Sequence, residues 1–184
     1  MMPPPVLGLV GHPGAGKDTL ARWLAEDFGY TVVSAIAPVR TLVATLYPDV
    51  PKPRRVLQAV AQALRAEDPA VFARLLEATV HHPGRWLVPD LRDPAEADVI
   101  QRVGGLTIGV VAPPAAAARR LRARDGARWA EGLDAPTERL IPTLLARCPL
   151  MVSNAGTLAD FRAAYVATLQ RRWQEGVAAA GSSF

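Results

Sequence analysis

Positions 11 to 19 read Gly11-His12-Pro13-Gly14-Ala15-Gly16-Lys17-Asp18-Thr19. Gly11, four further residues and then Gly16-Lys17 is the spacing of a loop that cradles phosphate. Small residues let successive backbone N–H groups, those of His12, Gly14 and Ala15 among them, turn toward an anion. A helix beginning at the same place adds its positive end, and Lys17 reaches the outer phosphates. A turn with a purely structural purpose needs no lysine there. The residue after such a lysine is usually Ser or Thr, whose hydroxyl touches magnesium, but here it is Asp18, with Thr19 one place later. Asp18 can hold magnesium directly or through water, since that ion takes oxygen ligands and keeps several waters. It can equally cap the helix or pair with an arginine. ATP with Mg2+ is the ligand pair this loop predicts.

Further candidates for chemistry lie downstream. Asp90 ends a short apolar run, Trp86-Leu87-Val88, and so belongs at the carboxyl edge of a strand, where ligands bind in open parallel sheets. It would hold magnesium through water or orient the attacking group; its structural alternative is a cap for the next turn. Arg92, on the same edge, would clamp a transferring or accepting phosphate, because charge on the equatorial oxygens must be neutralised during transfer. Its structural alternative is an ion pair with Asp93 or Glu96. Arg40, Arg54, Arg55 and Gln58 lie on a helical stretch well before that edge. Arg119, Arg120, Arg122 and Arg124 crowd one later stretch and lead to Arg128 and a Gly-flanked segment ending near Pro136. A mobile basic cover of this kind excludes water from a phosphoryl transfer, although a solvated helical face explains the same residues. His81 and His82 lack a metal-like partner spacing and belong to an exposed turn.

The elements that must position these groups follow from periodicity. Val6 to Val10 is a continuous apolar run, the pattern of a strand buried on both faces of a parallel sheet. Leu20, Ala21, Leu24 and Phe28 recur at helical spacing after Lys17, and Gly29 ends that helix before a strand at Thr31 to Val33. Arg40 to Tyr47, Arg55 to Ala66 and Pro69 to Val80 read as three helices, making an excursion over residues 38–80. Strands follow at Trp86 to Val88, Leu106 to Val111 and Leu150 to Val152. Helices are expected at Pro113 to Arg124, at Thr137 to Arg147 and, as one long terminal helix, at Leu158 to Ala180. Such alternation predicts an α/β, five-stranded parallel sheet with helices on both faces; with the phosphate loop after its first strand and the arginine-rich stretch as a small lid over 113–136, the expectation is a three-layer P-loop NTPase fold.

The 184 residues and their 50% hydrophobic content suit one domain with one substantial core. Basic residues number 21 against 17 acidic ones, a net charge of +4, and nearly all are arginine, whose fork pairs two phosphate oxygens at once. The charges are dispersed, with no basic block, so no nucleic-acid partner is expected. Cys148 is the sole cysteine, which excludes an intrachain disulfide. No targeting segment and no run of the ~18 apolar residues a membrane span needs is present, so a cytoplasmic protein with no membrane partner is expected. Whether it is a monomer or a homodimer stays open.

Gly16-Lys17-Asp18-Thr19 resembles the loop of the deoxynucleoside monophosphate kinases of the phage and bacterial type, and other small-molecule P-loop kinases share it. The stretch from Val88 to Ile100, Val-Pro-Asp-Leu-Arg-Asp-Pro-Ala-Glu-Ala-Asp-Val-Ile, resembles that family's Asp-Val-Arg-Phe-x-Asn-Glu-Ala-x-x-Ile segment. Ser153-Asn154-Ala155-Gly156-Thr157-Leu158 is similar to its Asn-Asn-Gly-Thr-Leu turn, which closes on the donor adenine, and Pro136-Thr137-Glu138 lies where the family has a His-x-Ser-Glu lid segment. The resemblance implies ATP-dependent phosphorylation of a small phosphorylated acceptor, a (deoxy)nucleoside monophosphate. Asn154 and Gly156 would then lie on the donor, and Arg40, Arg54, Arg55 and Gln58 on the acceptor. Where the family tends to have Gly-Thr-Glu, this chain has Ala61-Gln62-Ala63, and Asp93-Pro94 and Asn154-Ala155 also depart from the pattern. Dephospho-coenzyme A kinase is the alternative enzyme, sharing a similar Asn-Asn-Gly turn, but Ser34-Ala35-Ile36 stands where that family has Asp-x-Asp. A non-catalytic nucleotide-binding regulator is the alternative outside enzymes; no Asn-Lys-x-Asp guanine reader is present.

Overall fold

The computed structural model describes residues 3–50, 54–130, 133, 136–171 and 173–174; the side chains of Arg54 and Arg128 lie outside that description. Five strands form one sheet in the order β2-β3-β1-β4-β5: β1 Val6–Val10, β2 Thr31–Val32, β3 Trp86–Val88, β4 Leu106–Val111 and β5 Leu150–Ser153. Every pairing is parallel, with Leu7 opposite Leu87 on one side and Leu106 on the other. β1 is the central strand and all five of its residues are buried, which is why the run carries no polar alternation.

Helices cover both faces. Leu7 and Leu9 point to one side, where α1 (Lys17–Phe28) and α8 (Leu158–Tyr165) bring Leu20, Leu24, Phe161 and Tyr165. Val6 and Val10 point to the other, against α4 (Val71–Val80), α5 (Pro94–Arg102) and α7 (Ile141–Ala146) through Leu76, Val80, Ile100 and Leu144. The excursion, α2 (Ala37–Leu46), α3 (Arg54–Glu67) and the start of α4, holds a smaller core of Val39, Val43, Ala61 and Phe72. α6 (Pro114–Asp125) follows β4 and leads through a short 3-10 turn, Gly126–Arg128, toward Trp129. No described helix is long and apolar enough to cross a membrane.

Three elements differ from the sequence expectation. α5, unassigned from periodicity, starts at Asp93-Pro94: the Asp93 side chain accepts the Ala95 N–H at 2.8 Å, and Pro94 needs no donor in the first turn. The helix expected from Thr137 to Arg147 divides into a 3-10 turn at Pro136–Leu140 and α7, because Pro142 has no N–H for the carbonyl four residues back. The long terminal helix widens into a π turn at Val166–Gln170. Phe161, Tyr165, Leu169 and Trp173 are all buried at intervals of four. A 3.6-residue helix cannot keep that interval on one face, and a wider turn can. The same turn lets Gln170 join Arg162 and Tyr165 on the Asp27 carboxylate, at 3.0, 3.1 and 2.6 Å. The stretch beyond residue 174 lies outside the described residues.

Candidate active site

The cradle forms where buried β1 gives way to α1. Gly14 and Gly16 have φ of +78° and +105°, and a Cβ would lie 2.5 Å from the Ala117 carbonyl oxygen in the first case and 2.4 Å from Asn154 Nδ2 in the second. Both positions therefore need glycine for conformation and for room. Asn154, buried just past β5, donates Nδ2 to the Ala15 carbonyl at 2.8 Å. From α6, Arg120 Nη2 donates to Asn154 Oδ1 at 2.9 Å, to the Asn154 carbonyl at 3.1 Å and to the Gly156 carbonyl at 3.3 Å. Its Nη1 reaches the Gly14 carbonyl at 3.4 Å. Arg120 and Asn154 thus brace the loop, with Asn154 turned into the protein and Arg120 on the cleft wall.

Lys17 Nζ is buried and donates to the carbonyls of Gly11 at 2.6 Å and His12 at 3.2 Å. It also lies 3.3 Å from Asp90 Oδ1, just past β3, and Arg92 Nη2 approaches the same oxygen at 2.9 Å. Burial holds the Lys17 ammonium below its usual range, with Asp90 partly opposing that. Burial pushes the Asp90 carboxyl up, but the charges of Lys17 and Arg92 outweigh it and hold the group below the usual carboxylate range. Asp90 is ionised, and two cations converge on it.

Two more carboxylates complete the arrangement: Glu96, which the sequence offered as a partner for Arg92, and Glu138 of the Pro136-Thr137-Glu138 segment. Arg92 Nη1 is ion-paired with Glu138 of the 3-10 turn, whose second oxygen is buried with no hydrogen-bond partner and lies 4.0 Å from His12 Nδ1. Buried Glu96 of α5 accepts the Arg92 N–H at 3.0 Å and faces Arg65 at 3.8 Å. Burial raises the Glu96 carboxyl to about 7, against the lowering effect of that N–H and of Arg65. Arg65 stands seven residues, two helical turns, after Gln58. That spacing is the signal that links it to the predicted group.

The residues surround a cleft of about 1590 Å³, which exceeds the roughly 300–1,000 Å³ of a single small-ligand pocket and leaves room for two ligands. Lys17, Asp18 and Thr19 line it, as do Arg40, Gln58 and Arg65 and the pair Asp90 and Arg92. Arg55 is exposed and is not on the cleft wall. Arg124, on the cleft wall, lies 3.7 Å from Asp18, so of the readings open for Asp18 the arginine pair is the one formed here. Among the described residues no group of three or more His, Cys, Asp or Glu is gathered to hold an ion unaided. The oxygens of Asp18, Thr19 and Asp90 on one cleft fit magnesium all the same, which is commonly held by one or two carboxylates together with ligand phosphates.

No family model matches the sequence, and no curated protein matches it. Among solved structures, the fold is similar to TT1252 from Thermus thermophilus, at 26% identity and a TM-score of 0.56, over 93% of this chain and 98% of that one. It is also similar to a shikimate kinase from Bacteroides thetaiotaomicron, at 15% identity and a TM-score of 0.56, over 94% and 97% of the two chains. A gluconokinase from Sinorhizobium meliloti matches at 16% identity and a TM-score of 0.56, over 95% and 97%. Over nearly its whole length the chain has the fold of the P-loop kinases, a parallel five-stranded sheet between two helical layers.

Proposed function

We propose that this protein is an ATP- and magnesium-dependent kinase that transfers the γ-phosphate to a small phosphorylated acceptor, a (deoxy)nucleoside monophosphate on the strength of the sequence resemblance. The observation that carries the proposal is the set Lys17, Asp90 and Arg92, held within 3.3 Å contacts beside a glycine cradle on a cleft with room for two ligands. The cradle and Lys17 would take the donor phosphates. Arg92 would neutralise charge on the transferring group, while Arg40 and Arg65 supply an anion-binding wall for the acceptor. A magnesium ion held here would supply positive charge to the donor phosphates. Asp18, Thr19 and Asp90 are the residues that would hold it. Transfer then rests on positioning and charge neutralisation, with no strong base required of the protein when a phosphate attacks.

A second reading has its own support: the buried Glu96 carboxyl, with a pKa near 7, lines the same cleft and could take a proton from an acceptor hydroxyl. The similar solved structures include kinases named for shikimate and gluconate. The test is release of ADP from ATP and Mg2+ with a panel of ribo- and deoxynucleoside monophosphates, dephospho-coenzyme A, shikimate, gluconate and a blank, with products identified by mass. Transfer to a nucleoside monophosphate supports the first reading. Transfer only to a hydroxyl of an unphosphorylated acceptor supports the second, and transfer to dephospho-coenzyme A alone makes that the acceptor. ATP binding with no transfer across the panel favours a regulator.

A further inference from the structure

Glu138 lies 46 residues after Arg92 in the sequence, in the Pro136–Leu140 turn, yet its carboxylate sits in the cleft on the Arg92 guanidinium. One of its oxygens engages Arg92 Nη1. The other is buried, has no hydrogen-bond partner, and is 4.0 Å from the ring of His12 in the cradle. Both terminal nitrogens of Arg92 are thus engaged by carboxylates of the protein, Glu138 at Nη1 and Asp90 at Nη2. A buried carboxylate oxygen without a donor is unfavourable, so this is a poor resting place unless something else is meant to use the cation.

We propose that Glu138 is a displaceable internal anion: with the cleft empty, it occupies the Arg92 face that a phosphate group uses and holds the Pro136–Leu140 turn against the cradle. An incoming polyphosphate takes Arg92, expels the Glu138 carboxylate, and so frees the turn. The exchange is chemically even-handed at first, an oxyanion for an oxyanion. A polyphosphate then wins because it carries more charge and, unlike Glu138, also reaches the cradle N–H groups and Lys17. Release of the turn is thereby tied to arrival of the ligand through one differential contact, as a ligand-driven shift between two states requires. The proposal rests on the phosphate-binding reading of the cleft.

The test uses the full chain, Glu138→Gln and inorganic tripolyphosphate as probe. Hydrogen exchange of peptides spanning 136–146 should be slow in the empty wild type and faster once tripolyphosphate is added. In empty Glu138→Gln it should already be fast, and tripolyphosphate should bind that variant about three- to ten-fold more tightly, because no internal anion competes. Glu138→Asp, which keeps the charge on a shorter arm, should fall between the two. Unchanged exchange in empty Glu138→Gln, with a wild-type melting curve, overturns the latch, as does weaker tripolyphosphate binding, which would make Glu138 a support for Arg92 and not a competitor. The exchange comparison on empty protein needs neither phosphate binding nor turnover, so it separates failure of the latch from failure of the kinase reading.

Discussion

Lys17 Nζ and Asp90 Oδ1 lie 3.3 Å apart, one at the head of α1 and the other just past β3, so the carboxyl ends of two adjacent parallel strands are joined by a single ion pair. Lys17 also holds two carbonyls of its own loop. The pair therefore reports whether the loop is set for phosphate.

Lys17→Ala should keep the fold and lose most ATP affinity and turnover. The side chain is buried, and its polar contacts are the loop carbonyls and Asp90. Turnover should fall by about two orders of magnitude or more, the scale of a lost electrostatic contact to a developing charge. A coupled ADP assay beside circular dichroism decides it, and near-normal turnover in a folded variant would refute the assignment.

Asp90→Asn should lower turnover on a similar scale and, by leaving the buried Lys17 ammonium and Arg92 without the carboxylate they share, should also lower the melting temperature. With Lys17 and Arg92 holding its carboxyl below the usual range, Asp90 stays ionised through neutral pH, so the acid limb of the rate profile should fall below pH ~4, the range of an unperturbed Asp. A large loss of stability with unchanged rate would make Asp90 structural.

Much of this site is legible in the sequence because its parts are local. The cradle needs only its own nine residues and the apolar run before them, and Asp90 and Arg92 are found by asking what ends the next buried strand. Glu138 is not legible that way: its contact exists only because the fold brings its turn onto Arg92, 46 residues earlier. Arg55 and Arg65 show the same limit within one helix. Both are arginines on α3, but the face lined by Leu57, Gln58, Ala61 and Gln62 is the one turned to the cleft, and it carries Arg65 while Arg55 stays in solvent. β1, β3 and β4 stand out as apolar runs buried on both faces. The π turn escapes notice because a four-residue interval of buried side chains reads as ordinary helix until Leu169 and Trp173 must share one face with Phe161.

Glu96 should impose a pH dependence on stability. Its folded pKa of about 7 is above the unperturbed 4.5, so the folded state holds the proton more tightly than the unfolded chain. The associated stability is complete below about pH 4.5 and is lost as pH rises through 7, a change on the order of 3 kcal/mol. Glu96→Gln removes the titration and keeps an acceptor for the Arg92 N–H. The melting temperature of the variant relative to wild type should therefore climb by several degrees between pH 5 and pH 8. A difference that stays constant over that range would show that Glu96 is not titrating there.

Arg40 and Arg55 provide the sharpest test of where the acceptor binds. Arg40, Gln58 and Arg65 line the cleft, whereas Arg55 is exposed on the same helix that carries Arg65 and is not on its wall. An acceptor bearing a phosphate gains charge-assisted hydrogen bonds from arginines on the cleft wall and nothing from one outside it. Arg40→Ala should raise the acceptor KM about ten-fold or more while ATP KM moves little, since the cradle and Lys17 are untouched. Arg65→Ala should do the same and, by leaving Glu96 without its nearest cation, should also lower the melting temperature; Arg65→Lys should recover the stability better than the KM, because a point charge lacks the paired geometry of the guanidinium. Arg55→Ala should leave both KM values within about two-fold, as expected for a surface charge well removed from a ligand. Steady-state kinetics with each substrate varied in turn read all three at once. An Arg55→Ala effect on the acceptor equal to that of Arg40→Ala would place the acceptor outside this cleft, and a rise in ATP KM alone for Arg40→Ala would mean that the donor, not the acceptor, occupies the part of the cleft that Arg40 lines.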